Sequence, residues 1–164
     1  MNTRLTRDRR VTLPSVMSSQ PSLFGSSPSD TSATANIDGG SRGNPGPAAY
    51  GVYIQWADGS VVELKGFIDH ATNNVAEYNG LLAALAWAAD QKLGTLLIRA
   101  DSELLVKQMR GQYRVKNAGL QPLYERARGL VQQIGTVTFV HVRRELNKEA
   151  DRLANEAMDE AART

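Results

Sequence analysis

The sequence predicts an α/β domain built on one mixed five-stranded sheet, with the element order β-β-β-α-β-α-α-β-α and helices packed on the sheet. Three observations carry that prediction. Two alternating runs, residues 49–56 and 60–67, are separated by Asp58-Gly59, a strong hairpin signal. Residues 75–90 place Val75, Tyr78, Leu81, Leu82, Leu85 and Ala88 or Ala89 at helical spacing. Beyond them, short apolar strands alternate with helical stretches, which joins a hairpin meander to parallel strands through crossovers.

Each element follows in order. Residues 1–33 of the 164-residue chain hold eight Ser, three Pro and four Arg (Arg4, Arg7, Arg9, Arg10) against Asp8 and Asp30, with no apolar period. Such a composition cannot bury enough surface to offset the entropy of ordering, so 1–33 is expected to be a disordered tail and 34–164 the folded domain. The Arg- and Ser-rich, acid-poor tail fits an organelle transit peptide, and equally a nonessential extension or a start codon placed too far upstream. It lacks the apolar core of a secretory signal. A strand at about 34–38 leads through Gly- and Pro-rich residues 39–47 into the hairpin. The long helix is stopped by Gly94, and Leu96–Ala100 reads as a buried strand ending at Asp101. Helices are expected at about 102–109 and 120–133, and a last strand over Thr136–Arg143. Asn147 caps a final helix whose apolar face is Ala150, Leu153, Ala154, Ala157 and Met158.

Charge and composition exclude several functions. The net charge of +2 is carried by residues 1–33, because the rest of the chain balances 15 Lys and Arg against 15 Asp and Glu. Affinity for a polyanion must therefore come from local clustering. One cluster exists: Lys107, Arg110, Arg114, Lys116, Arg126 and Arg128 lie in a segment with a single acid, Glu125. The absence of cysteine excludes disulfides, a thiolate nucleophile and zinc-finger or iron–sulfur sites, and fits a reducing, cytoplasmic location. Two histidines, His70 and His141, leave little room for a His-based metal site. No run approaches the roughly 18 apolar residues of a membrane-spanning helix.

Four acids fall where a mixed sheet can gather them: Asp38 on the first strand, Glu77 early in the long helix, Asp101 at a strand end and Asp151 early in the last helix. Each alone has a structural reading. Asp38-Gly39 can open a turn, Asn74-x-x-Glu77 resembles a capping box, Asp101 can cap the next helix, and Asp151 can lie on a solvated face. Their setting points elsewhere. Asp38 follows Ala35-Asn36-Ile37 in an interior strand and Asp101 ends an apolar run, and a buried carboxylate needs a cation or a proton. An all-oxygen site without Cys or His selects Mg²⁺ or Mn²⁺ over zinc.

Asp38-Gly-Gly-Ser-Arg-Gly-Asn-Pro-Gly-Pro47 with Tyr50-Gly51 resembles the first motif of type I ribonuclease H. Thr72-Asn-Asn-Val-Ala-Glu77-Tyr, Asp101-Ser-Glu-Leu-Leu-Val-Lys-Gln108 and Asn147-Lys-Glu-Ala-Asp151-Arg-Leu-Ala154 resemble the remaining family blocks, in order, and the likeness covers roughly residues 34–160. The resemblance implies the ribonuclease H fold and hydrolysis of the RNA strand of RNA/DNA hybrids, leaving 5′-phosphate and 3′-hydroxyl ends. It implies that Asp38, Glu77, Asp101 and Asp151 are the catalytic, metal-binding carboxylates. In-line attack of water on a phosphodiester places charge on the entering and leaving oxygens, which two Mg²⁺ about 3.5–4 Å apart stabilise together, with Mn²⁺ as a substitute. On the family pattern Asp38 is shared by both ions, Asp151 serves the ion that activates water, and Glu77 and Asp101 serve the ion near the leaving 3′ oxygen.

The resemblance also implies that Ser41, Asn44, Asn73 and Asn74 contact the 2′-hydroxyls and minor groove of the hybrid and that Thr72 touches a DNA phosphate. Helix capping is the structural alternative for Asn73 and Asn74. Three departures stand out. The chain resembles the branch without the basic Lys- and Trp-rich handle, so hybrid affinity should rest on Lys107, Arg110, Arg114 and Lys116. Glu103 stands where a neutral residue is frequent, and can impair RNA contact or face solvent. The loop Val142–Asn147 lacks the family's His, so Arg143 or Arg144 is expected on phosphate, while His141 lies within the strand pattern and His70 reads as a surface residue. The expected enzyme is a monomer without membrane association. The alternatives are a hybrid-binding module that has lost catalysis and a nuclease of the same fold acting on another nucleic acid.

Overall fold

A computed structural model of the protein describes residues 32–164, so the tail and transit-peptide readings fall on residues 1–31 and lie outside the described residues. The chain runs β1 (Ser32–Ser41), β2 (Gly46–Trp56), β3 (Val61–Ala71), α1 (Asn73–Asp90), β4 (Thr95–Ala100), α2 (Glu103–Met109), α3 (Gln121–Ile134), β5 (Thr136–His141) and α4 (Lys148–Ala162). A single turn of 3₁₀ helix, Arg144–Leu146, precedes α4. The element order is the expected one.

The sheet order is β3-β2-β1-β4-β5. β1 and β3 flank β2 antiparallel, while β4 runs parallel to both β1 and β5, so the sheet is mixed. The larger core packs α1 and its neighbours against Ala35, Ile37, Ile54, Leu96 and Ile98. A smaller one, Ala49, Ala157, Met158 and Phe67, lies under α4. Tyr78 on α1 donates its buried hydroxyl to Gln108 on α2 at 2.7 Å, which fixes the two helices together.

Several boundaries differ from the expected ones, each for a physical reason. β1 begins at Ser32, two residues inside the expected tail, because Ser32 and Ala33 pair with Thr95 and Leu96 of β4. It also continues through Gly39-Gly40 to Ser41, where Gly39 and Gly40 face Tyr50 and Ala49 across the ladder; the Asp38-Gly39 turn does not form. β3 extends to Ala71, which places His70 on a strand, exposed.

Two glycines set how closely helices approach the sheet beside Asp38. A Cβ on Gly39 would fall onto the backbone of Ala76 and Glu77, so α1 rests directly on β1 there. Gly51 is the ladder partner of Asp38 on β2, and a Cβ on it would fall onto the Ala150 carbonyl and Leu153 of α4. Glu77 and Asp151 are delivered by those two contacts.

An ionic network ties α4 to β3. Arg152 reaches Glu63 at 2.6 Å and Glu149 and Glu156 at 2.8 Å, and the buried ammonium of Lys65 meets Glu156 at 3.2 Å and Glu160 at 2.7 Å. These buried β3 charges are stable in place because each is answered across the interface by α4.

Candidate active site

Asp38 lies on β1, and Asp101 directly follows β4, whose last residue Ala100 is the parallel partner of Ile37. Asp38 and Asp101 are thus adjacent at the same end of the sheet, and Glu77 comes in over Gly39 from the first turns of α1. One carboxylate oxygen from each of Asp38, Glu77 and Asp101 lies within 4.8 Å of the others, all three half-buried. Asp151, exposed in the first turn of α4, lies close enough to Asp38 to raise its proton affinity. The structure therefore gathers three of the four acids, with Asp151 as a neighbour of Asp38.

The electrostatics follow from that crowding. Burial, then the charge of Asp101, then the hydrogen bond with Asp151 push Asp38 up to about 8, opposed by the Gly39 backbone N–H. Burial pushes Glu77 up to about 7, with the Ser102 hydroxyl opposing the rise by donating to the carboxylate, Asp101 adding to it, and the nearby Arg144 lowering it. Ser102 has a second task as the cap of α2, its Oγ accepting from the Leu105 N–H at 3.2 Å. That capping role was expected of Asp101, whose carboxylate is instead left for the cluster. Ser102 was not foreseen, although a hydroxyl directly after a strand-end acid is a legible N-cap signal.

Four of the expected substrate residues meet at one corner. Asn44 Oδ1 accepts from the Asn73 N–H at 3.0 Å, and Asn73 Oδ1 accepts from the Ser41 N–H at 2.8 Å and the Ser41 hydroxyl at 3.2 Å. Thr72 caps α1 through its Oγ1, which accepts from Val75 at 3.2 Å, so the Asn74 to Glu77 capping box does not form. Asn74 is exposed beside them, and Arg143 and Arg144 are exposed on the turn before α4.

The basic cluster is rearranged relative to expectation. Arg110 turns away to chelate the Phe139 carbonyl of β5 through Nε at 3.0 Å and a terminal nitrogen at 2.7 Å. Lys107 pairs with Glu103 at 3.0 Å and lies 5.0 Å over the Tyr113 ring, while Arg114 and Lys116 are exposed. Glu103 is itself exposed, with Lys107 and His141 lowering its carboxyl below the usual range. His141 ends β5, within the strand as the pattern predicts, and is exposed.

Comparison with known proteins decides the family. A family model described as reverse transcriptase-like matches residues 36–157. Ribonuclease HI of Halobacterium salinarum is 42% identical over 148 residues, covering 84% of this chain and 74% of that protein. The chain belongs to the ribonuclease HI family. The bifunctional protein Rv2228c of Mycobacterium tuberculosis is 48% identical over 129 residues, 77% of this chain, and the chain spans only 35% of its length. The N-terminal RNase H domain of that protein, solved as a fusion with maltose-binding protein, superposes with a TM-score of 0.77 at 46% identity, covering 81% of this chain and 97% of that one. LC11-RNase H1, solved in complex with an RNA/DNA hybrid, superposes with a TM-score of 0.73 at 38% identity, covering 79% and 99%. The ribonuclease HI fold, with its mixed five-stranded sheet, is thus the fold of this chain.

Proposed function

We propose that this ribonuclease HI relative is an endonuclease that hydrolyses the RNA strand of RNA/DNA hybrids with the help of two divalent ions, leaving 5′-phosphate and 3′-hydroxyl ends. The convergence of Asp38, Glu77 and Asp101 within 4.8 Å, with Asp151 close enough to act on Asp38, carries the reading. Burial and the neighbouring carboxylates raise the proton affinity of Asp38 and Glu77, and a dication relieves the repulsion that a fold without ions must answer with protons. The donors are all carboxylate oxygens, which suits Mg²⁺, with Mn²⁺ as a substitute, and these four residues would hold the ions. When bound, such ions supply Lewis-acid stabilisation of a phosphodiester and lower the pKa of water.

The remaining residues have their own tasks. Ser102 orients Glu77 through its hydroxyl proton. The corner of Ser41, Asn44 and Asn73 offers amide and hydroxyl groups to a 2′-hydroxyl, the atom that separates RNA from DNA, with Asn74 beside it. The Thr72 oxygen accepts from its own helix, and its proton is left to donate to a DNA phosphate. Arg144, close enough to Glu77 to act on it electrostatically, presents a guanidinium to a phosphate at the edge of the site, with Arg143 next to it. Outside the site, Lys107, Arg114 and Lys116 carry the duplex electrostatically, without Arg110. One chain supplies all four acids, which supports action as a monomer, and the lack of cysteine supports a cytoplasmic location. Residues 1–31 are dispensable for cleavage of short hybrids on this reading.

Cleavage of an end-labelled hybrid tests it, beside matched double-stranded RNA, double-stranded DNA and single-stranded RNA, each with Mg²⁺, Mn²⁺ or chelator. The expected result is metal-dependent cutting of the hybrid's RNA strand alone. Hybrid binding without cutting of any substrate would overturn it in favour of a binding module.

A further inference from the structure

We propose that Asn36 is a positioning residue for Asp101, acting through the side-chain amide of Asn147. The inference rests on the reading of Asp101 as a metal ligand. Asn36 sits in the middle of an interior strand, between Tyr53 of β2 and Arg99 of β4, where an apolar residue is the ordinary occupant, and it is only 7% exposed. Asn147 is 1% exposed and occupies the position before α4, yet its side chain makes no cap hydrogen bond, contrary to the sequence expectation. The amide turns inward instead. Its Nδ2 donates to the Ile37 carbonyl at 2.8 Å and to Asp101 Oδ2 at 3.2 Å.

Hydrogen-bond chemistry fixes the rest. A carbonyl and a carboxylate can only accept, so the NH₂ of Asn147 must face them and its oxygen must face the other way. That oxygen is buried and needs a donor. Asn36 Nδ2 supplies it at 2.9 Å, and the same nitrogen lies 3.4 Å from the Leu146 carbonyl, another acceptor, so the Asn36 amide is itself oriented. Without that donor, the Asn147 oxygen is buried with no partner, and the amide is drawn off the place from which it donates to Asp101. Asn36 therefore holds the Asn147 amide in the place from which it grips one oxygen of Asp101.

Asn147 also touches the other carboxylates' supports. Ile37 immediately precedes Asp38, and the Asn147 carbonyl accepts from the Asp151 N–H at 3.1 Å. One residue thus registers β1 and the end of β4 through its side-chain amide and the first turn of α4 through its backbone carbonyl. Groups that orient metal ligands in this way commonly govern affinity about as strongly as the ligands allow.

The test uses the full chain as wild type, Asn36→Leu, Asn36→Ser, Asn147→Leu and the double variant Asn36→Leu/Asn147→Leu. Mn²⁺ binding is read by calorimetry, with hybrid cleavage and thermal unfolding in chelator alongside. Asn36→Leu should weaken Mn²⁺ binding about fivefold, the worth of one hydrogen bond, and lower kcat while leaving KM for the hybrid unchanged. Asn147→Leu should weaken it about tenfold or more. The double variant should match Asn147→Leu, because Asn36 acts through that amide. Should Asn36→Leu not unfold cooperatively, Asn36→Ser, which loses the reach of the amide without added bulk, carries the same expectation. Wild-type Mn²⁺ affinity in the folded Asn36 variant, or losses that multiply in the double variant, would overturn the proposal. If the wild type binds Mn²⁺ but cuts no hybrid, the functional reading fails while the binding series still decides the role of Asn36.

Discussion

Asp38→Asn should stabilise the metal-free protein while disabling it. The ligand oxygens of Asp38, Glu77 and Asp101 lie within 4.8 Å, and two unit charges at that separation repel by about 3.5 kcal/mol at an effective dielectric of about 20. Burial adds to this, and together they push Asp38 from its ordinary 3.8 up to about 8. The sign follows from proton linkage. Between those two values the folded chain keeps a proton that the unfolded chain releases, so the wild type loses stability as pH rises from about 4 to about 8, and loses no more above that. An amide at position 38 has no such dependence. In chelator, the gain from Asp38→Asn should therefore be small near pH 5 and grow to on the order of 3 kcal/mol at pH 8, roughly 10 °C in Tm for a domain of this size. Saturating Mg²⁺ should reverse the order, since a ligand at about 1,000 times its Kd adds about 4.1 kcal/mol to whichever form binds it. Thermal unfolding of both proteins from pH 5 to 9, with chelator and with Mg²⁺, provides the assay. A variant less stable than wild type in chelator at pH 8, or a difference that does not grow with pH, would refute the reasoning.

Three further expectations concern the surroundings of the site. Arg152→Met removes the guanidinium from Glu63, whose side chain is 10% exposed, and should destabilise the protein by about 2 kcal/mol, discounted because Arg152 is itself 38% exposed; chemical denaturation reads it. Gly51→Ala places a methyl group against the Ala150 carbonyl and Leu153, so α4 must lift; a loss of about 2–3 kcal/mol is expected, with a fall in hybrid cleavage at temperatures where the variant is still folded, whereas wild-type values in both would show that α4 does not rest on β2 as described. Glu103→Gln should change kcat/KM for a hybrid by less than about threefold, because Lys107 already answers that charge on the surface; a tenfold gain in steady-state kinetics would mean that Glu103 repels the RNA directly.

The elements set by hydrophobic period and by turn chemistry were legible in the sequence, and those set by long-range pairing were not. The period of α1 and the Asp58-Gly59 hairpin are local signals, and both stand in the structure. The reach of β1 is not local. Ser32, Ala33, Gly39 and Gly40 become strand because β2 and β4 offer them partners, which composition cannot report. Within the site, the four acids could be proposed from the sequence because each stands in a motif of the family resemblance, and because Asp38 and Asp101 sit in apolar strand settings that a lone carboxylate disfavours. Their supports could not. Asn147 reads as a helix cap from its neighbours in sequence, yet Ile37 and Asp101, more than forty residues away, claim its amide. Arg110 reads as part of a basic patch, yet the Phe139 carbonyl on the edge strand β5 holds it. In both cases a distant backbone or carboxylate acceptor outbids the local role. Gly39 reads as part of a turn and Gly51 only as part of a motif, and their purpose appears when α1 and α4 are seen resting on them.

The most direct test of the central claim, that Asp38, Glu77, Asp101 and Asp151 form one metal-dependent hydrolytic centre, is single-turnover cleavage of an end-labelled RNA/DNA hybrid by Asp101→Asn beside wild type. Hybrid binding is measured in parallel in Ca²⁺. A fall in rate of at least about 10²-fold with hybrid affinity retained is the predicted result. Cleavage near the wild-type rate would contradict it and remove Asp101 from the centre.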